Sequence, residues 1–337
     1  MKFAVHESRG SFSKRWIDYF ESNSIPFKKV NCYATDIIDQ LNDCDALMWH
    51  FHHSEPEDYL FAKQLIFSVQ AVGKKVFPDY NTMWHFDDKV GQKYLLEAIG
   101  APLVNSYVFY SKKEALEWAN STSFPKVFKL RGGAGSVNVK LVKDYVESKK
   151  LINKAFGSGF KHDSEFGPLD IWNKYWDKRA TFDQFLKAVY HWVIPTEFAR
   201  IHGRERGYTY FQDFIPGNKS DTRVIVISDK AFAIKREVRE NDFRASGSGK
   251  IIYDPLQIDI RCLKIAFDIN SKLKAQCLAY DFVFKDTEPL LVEISYGFAI
   301  KAYDPCPGYW NREMNWIDGH FNPQEWMIEL LLNKIKE

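Results

Sequence analysis

The sequence lacks the marks of several large protein classes. Its five cysteines, Cys32, Cys44, Cys262, Cys277 and Cys306, form no C-x-x-C pair. An odd, scattered set fits a reducing compartment better than a disulfide framework. No apolar run approaches the roughly 20 residues that a membrane helix needs. The opening MKFAVHESRG turns polar too soon for a signal peptide, so a cytoplasmic protein is expected. Neither sign of charge is in excess: 46 basic residues face 44 acidic ones, for a net +2. That balance argues against bulk nucleic-acid binding. There is no long low-complexity segment and no Gly-Lys-Ser/Thr after a glycine loop, which excludes a Walker phosphate loop.

What is present is a chain of 337 residues, enough for two or three packed layers or subdomains, with 16% aromatic residues to fill cores and line clefts. The fold class expected is α/β (α+β). Short strand-like stretches at 2–6, 27–30, 45–51 and 75–77 alternate with helical patterns at 12–20, 37–41 and 59–72. That alternation predicts a Rossmann-like parallel sheet with right-handed crossovers. Ligands on such sheets sit at the carboxyl ends of the strands. Glu7 and Arg9 fall at one end, and His50, His52 and His53 at another. The histidines could contact substrate, hold a metal or simply sit in a loop; no cysteine or carboxylate completes a clear ligand set.

The stretch Phe124 to Val142, FPKVFKLRGGAGSVNVKLV, reads as strand, glycine loop, strand. Lys129 lies on the first strand, and Gly132, Gly133, Gly135 and Ser136 lie in the loop. Glycines let backbone N–H groups approach an anion closely and form a nest for it. A lysine beside them suits a polyphosphate; a plain glycine hairpin is the ordinary alternative. Upstream, residues 87–100 read as a helix capped by Asp87 or Asp88 and stopped by Gly100, with Lys89 in its first turn. A cation there opposes the helix dipole, which hints at a ligand. Residues 145–207 differ in texture, with basic and aromatic residues interleaved, and read as a mostly helical insertion. Such a surface suits an anionic or sugar-like partner, or is an amphipathic lid.

Beyond the insertion, YTYFQDFI, DTRVIVIS, KAFAIKREV, LAYDFVF and LLVEI read as strands. Asp281 and Glu293 interrupt the last two. Carboxylates are seldom buried unless paired or bound to a cation. At matched positions on adjacent strands they could bridge Mg²⁺. The alternative is a pair of ion bridges closing a barrel end.

Lys89, Lys129, the glycine loop, YFQDFI, DTRVIVISDKAFAIKR, LAYDF and LLVEIS occur in the order of the ATP-grasp superfamily. The chain resembles its ribosomal-protein glutamate ligases most, and glutathione synthetases and D-alanine:D-alanine ligases more distantly. The resemblance spans residues 85–300 and implies an ATP-grasp fold. It divides the chain into an N-terminal substrate domain (1–84), a central subdomain with the glycine loop (85–144), the insertion (145–207) and a C-terminal subdomain with the metal site (208–337).

The resemblance also implies roles. Lys89 and Lys129 would hold ATP phosphates under the loop. Gln212, Asp213, Phe214 and Ile215 would receive adenine, with Asn218 or Asp221 on the ribose. Lys235 and Arg236 would face the γ-phosphate and acyl phosphate. Arg244 and Ser246 look like the substrate-side loop, with Arg244 or Arg236 on the oxyanion. Asp281 and Glu293 would ligate Mg²⁺, with Ser295 where that family usually has an asparagine ligand. The implied activity is an ATP-dependent carboxylate–amine ligase working through an acyl phosphate, its partners a small carboxylate and an amine. The insertion turns the expectation towards a uronic acid or nucleotide sugar amidated by an amino acid in surface-polysaccharide synthesis. Alternatives are a peptide or amino-acid ligase, a non-catalytic ATP-binding module and a phosphotransferase on the same fold. A homo-oligomer is left open.

Overall fold

The structure is a computed structural model. It describes residues 1–52, 55–132, 138–161, 172, 175–176, 181–194, 197–238, 244 and 249–336. The chain divides into two compact units: Met1–Phe86 with Ala98–Pro102 and Asn218–Glu337, and Asp87–Glu97 with Leu103–Gly217. The first and last parts of the chain thus share one unit.

The first unit opens with β1 (Phe3–His6), α1 (Ser13–Ser22), β2 (Phe27–Val30), α2 (Ile37–Gln40), β3 (Ala46–Met48), α3 (Pro56–Ala71), β4 (Lys75–Phe77) and α4 (Tyr80–Met83). All strand pairs here are parallel, in the order β2-β1-β3-β4. The central strands β1 and β3 are buried along their whole length, as expected where helices cover a parallel sheet, while the edge strand β2 carries Lys28 and Lys29. The helical spacing of Phe12, Trp16 and Phe20 puts all three on one face, where none is exposed.

The second unit holds α5 (Lys89–Ala98), β5 (Ser106–Phe109), α6 (Lys112–Ser121), β6 (Lys126–Lys129), β7 (Val139–Val142), α7 (Tyr145–Ala155), β8 (Phe160–Lys161), α8 (Phe182–Val193), α9 (Glu197–His202), β9 (Arg204–Glu205) and β10 (Thr209–Asp213). Asp88 caps α5 by accepting from Gly91 N at 2.8 Å. Gly100 follows the helix at φ 69°, the left-handed stop that glycine provides cheaply. An antiparallel sheet runs β5-β10-β6-β7. Alternation splits its faces. Tyr107, Phe109, Phe128, Phe211 and Val142 line one face and pack with residues of α6 and α7. Lys129, Tyr210, Gln212 and Ser106 share the other face, as the pairs Tyr210–Lys129 and Gln212–Ser106 require. Strand β10 thus belongs with the glycine-loop strands rather than with the C-terminal ones.

The chain then returns to the first unit with β11 (Ser220–Ile227), β12 (Lys230–Glu237), β13 (Ile251–Ile252), α10 (Ile260–Leu273), β14 (Cys277–Lys285), β15 (Glu288–Ser295), β16 (Gly308–Asn311), β17 (Trp316–Asp318) and α11 (Pro323–Lys336). The strands form one sheet ordered β15-β14-β11-β12-β16-β17, with β13 beside β12. Two-residue turns, Ser228-Asp229 and Asp286-Thr287, close the hairpins β11–β12 and β14–β15. On one sheet face, Ile225, Ile227, Phe232, Ile234, Cys277 and Ala279 join the core shared with β1, α1 and α11. Further along the same strands that face becomes charged, and this change of chemistry positions the candidate site.

Candidate active site

The charged end of the face follows from strand register. Asp221 pairs with Arg236, Arg223 with Asp281, and Asp281 with Glu293. Directly paired residues on neighbouring strands present their side chains to the same side. Four strands therefore deliver three carboxylates and two guanidiniums to one patch. Arg223 grips Asp281 with two parallel hydrogen bonds, the Nη2–Oδ2 contact at 2.6 Å. Arg236 grips Asp221 in the same way at 2.7 and 2.5 Å, and reaches Asp281 Oδ2 at 3.1 Å. Burial works against ionisation of Asp281, which is 5% exposed, but Arg223 and Arg236 outweigh it and hold its pKa down at about 2. Burial likewise opposes the charge on Arg223; Asp281, Tyr303 and Glu293 overcome it and raise its pKa.

Lys235 and Arg236 are neighbours on β12, so the pleat sends them to opposite faces. The expectation that both face one phosphate is corrected: Arg236 shares the face of Asp281, and Lys235 sits on the side of Thr222. Asn218 and Asp221 also have other occupations than a ribose. The Asn218 amide bonds both main-chain polar groups of Phe284, at 3.0 and 2.8 Å, and Asp221 is the fork partner of Arg236.

Asp281 and Glu293 suit a hard cation. Mg²⁺ is held by oxygen, commonly one or two carboxylates completed by substrate phosphates. Among the described residues no group of three or more His, Cys, Asp or Glu is arranged to hold a metal, so phosphate would have to complete the shell. Ser295 lies on the same face, but its hydroxyl donates to Gly297 O at 3.0 Å and accepts from Gly297 N at 3.2 Å.

In the second unit, Lys129 is 5% exposed and donates to Gln212 Oε1 at 2.7 Å. Gln212 Nε2 and the Tyr210 hydroxyl both bond Ser106 Oγ, at 3.1 and 2.9 Å. Lys89, 7% exposed, begins α5, and its N–H donates to Arg131 O at 3.0 Å, two residues past Lys129. Arg131 in turn grips Asp88, the cap of α5. This ties the start of the glycine loop to the helix that carries Lys89. Asp213 points away from Lys129, to Lys126 at 2.6 Å. Phe214 and Ile215 follow β10 without regular structure, and Gly132 is buried. Gly133, Gly135, Ser136, His53 and Ser246 lie outside the described residues; Arg244 is described and half-buried.

The N-terminal candidates disperse. Glu7 pairs with Lys29 at 2.8 Å on the surface, and Arg9 is exposed. His50 is 4% exposed, stacks on Phe12 with centroids 3.6 Å apart, and accepts from Phe12 N at 3.0 Å. It is part of the packing of α1. His52 lies with its ring 4.7 Å from His50, and its N–H donates to Asp58. Asp58 also accepts from the Tyr33 hydroxyl at 2.8 Å; burial raises its pKa to about 6, against the pull of those two donors. A cavity of about 420 Å³ opens beside them, lined by His6, Glu7, Ser8, Lys29, Asn31 and Tyr33.

Sequence reasoning missed Arg223 and Tyr303. Arg223 was legible from parity: it stands two residues after Asp221 on a strand, so whatever faces Asp221 faces it. Tyr303 lies far along the chain, 4% exposed, and reaches Arg223 only through the packing of the tail.

Residues 203–304 match the model of the RimK-like ATP-grasp domain. The α-aminoadipate–LysW ligase LysX of Saccharolobus solfataricus is 21% identical over 272 residues, 80% of this chain and 79% of that one. The D-alanine–D-alanine ligase of Bacillus anthracis superposes with a TM-score of 0.60 at 15% identity, over 100% of this chain and 99% of that one. A RimK-domain ATP-grasp protein of Sphaerobacter thermophilus does so with a TM-score of 0.51 at 14% identity, over 87% and 90%. The chain has the ATP-grasp fold and resembles carboxylate–amine ligases, which use ATP and Mg²⁺.

Proposed function

We propose that the chain is an ATP-dependent ligase that joins the carboxyl group of one amino-acid-class substrate to an amine. The observation that carries this reading is the patch of Asp281, Glu293, Arg223 and Arg236 on one sheet face. Hard oxygen donors and forked guanidiniums side by side suit a metal–triphosphate and the charged intermediate made from it.

The substrate carboxylate would attack the γ-phosphorus, forming a C–O–P bond as the bond to ADP breaks. The amine would then attack the acyl carbon, lose a proton and expel phosphate. Lys89 and Lys129 would hold phosphate oxygens and keep them in line. Arg223 and Arg236 would neutralise charge that builds on the transferred phosphoryl group and on the tetrahedral oxyanion. Arg244 would serve the substrate side. Magnesium, held by Asp281 and Glu293, would supply further charge neutralisation. Water must be kept from the acyl phosphate, which otherwise hydrolyses.

The S. solfataricus relative is named for joining α-aminoadipate to LysW, which favours an amino-acid-class substrate over a uronic acid. Support for the sugar comes from the insertion. Trp172 and Trp176 there are 39% and 67% exposed, with ring centroids 5.6 Å apart. Exposed indole faces suit sugar rings, and they suit a peptide equally. Five buried free cysteines support a reducing compartment as its setting; no helix among the described residues is long and apolar enough to cross a membrane. The test is ADP release from Mg-ATP with paired amino acids, peptides and uronic-acid nucleotide sugars. Release that needs both a carboxylate and an amine supports the ligase. Phosphorylation of an acceptor without amide formation would replace it with a phosphotransferase.

A further inference from the structure

The carboxylate best placed for magnesium is already held by two cations of the chain. Arg223 forks onto Asp281, and Arg236 bridges Asp281 and Asp221. Each bond is charge-assisted and mostly shielded from water, the condition in which such bonds are strong. A bare divalent cation would have to shed water, break the Arg223 fork and leave the Arg223 guanidinium without its carboxylate, while Arg236 kept Asp221. Removing one partner of a buried pair is costly. A metal that arrives with a triphosphate meets no such penalty. The phosphate oxygens complete the metal shell and give Arg223 and Arg236 new anionic partners in the same exchange. Tyr303, buried in the core, lies near enough to Arg223 for the two to shift each other's charge.

From this geometry we infer that Arg223, with Arg236, keeps the Asp281–Glu293 site closed to free divalent cation, so that metal enters only together with nucleotide phosphate. The inference rests on the proposed ATP site, and it makes Arg223 a positioning residue for metal loading as well as a ligand for phosphate.

The test is direct binding of Mn²⁺, followed by electron paramagnetic resonance of the free ion. It uses the full chain without nucleotide and then with the non-hydrolysable analogue AMP-PNP. Wild type should bind Mn²⁺ weakly alone and at least about tenfold more tightly with AMP-PNP. Arg223→Met should bind Mn²⁺ without nucleotide about tenfold more tightly than wild type. Adding Asp281→Asn to that variant should erase the gain. Arg236→Met, read the same way, decides the matter if Arg223→Met does not fold. Equal nucleotide-free affinity in wild type and both arginine variants would overturn the inference, as would tight Mn²⁺ binding by wild type alone. If AMP-PNP does not bind at all, the ligase reading fails. The nucleotide-free comparison of wild type and variants still decides the inference by itself.

Discussion

Single side chains in this molecule do work that their neighbours in sequence do not share. Lys129 faces Gln212 while Lys126, three residues earlier, faces Asp213. Lys129→Met should therefore lower kcat/KM for ADP release by about 10²-fold or more, the scale for losing one preorganised charge-stabilising donor. Lys126→Met should cost much less activity; steady-state kinetics of both variants checks the contrast. Glu293→Ala should abolish ADP release while leaving the circular-dichroism melt close to wild type, because Glu293 is half-buried and holds no part of the core. Wild-type turnover in that variant would remove Glu293 from the metal site.

Elements were legible to the extent that local pattern fixes them. The alternation of strand and helix placed β1, β2 and β4, and Asp88 and Gly100 bounded α5 as expected. Asp281 and Glu293 were rightly expected at matched positions on adjacent strands. What local pattern could not carry was partnership across the chain. Strand β10 reads the same whether it joins the sheet before it or the one after it. The sequence leaves His50 open between substrate, metal and loop, because Phe12, which bonds and stacks on it, is 38 residues away. The bonds between the Ser295 hydroxyl and the Gly297 backbone are likewise invisible to strand pattern. At Gly308 in β16, an added Cβ would meet Ile317 O at 2.3 Å and the Trp316 ring at 2.6 Å. Backbone cannot yield cheaply, so Gly308→Ala should destabilise the chain by about 1–3 kcal/mol in urea titration. Phe232, fully buried under Phe298, Tyr303 and Trp326, should cost about 3–5 kcal/mol as Ala.

For the whole molecule, two carboxylates make stability depend on pH in opposite senses. The pKa of Asp281 is depressed in the fold, to about 2. Its stabilisation is present above the unfolded value near 4 and is lost as pH falls towards 2. Asp58 is raised to about 6, so the folded state binds its proton more tightly than the unfolded chain does. Its contribution falls as pH rises from about 4 to 6 and is constant above that, by roughly 2–3 kcal/mol in all. Urea titrations across pH 4 to 7 should show this decline in wild type and not in Asp58→Asn.

The central claim is that the charged end of the β11–β15 face serves amide synthesis driven by ATP. Incubation of wild type with Mg-ATP and a panel of paired amino acids tests it most directly, with ADP and product mass followed together. The account predicts ADP release only when a carboxylate and an amine are both present, and a product mass equal to their sum less one water. ADP release with one acceptor alone, leaving a phosphorylated product and no amide, would contradict it.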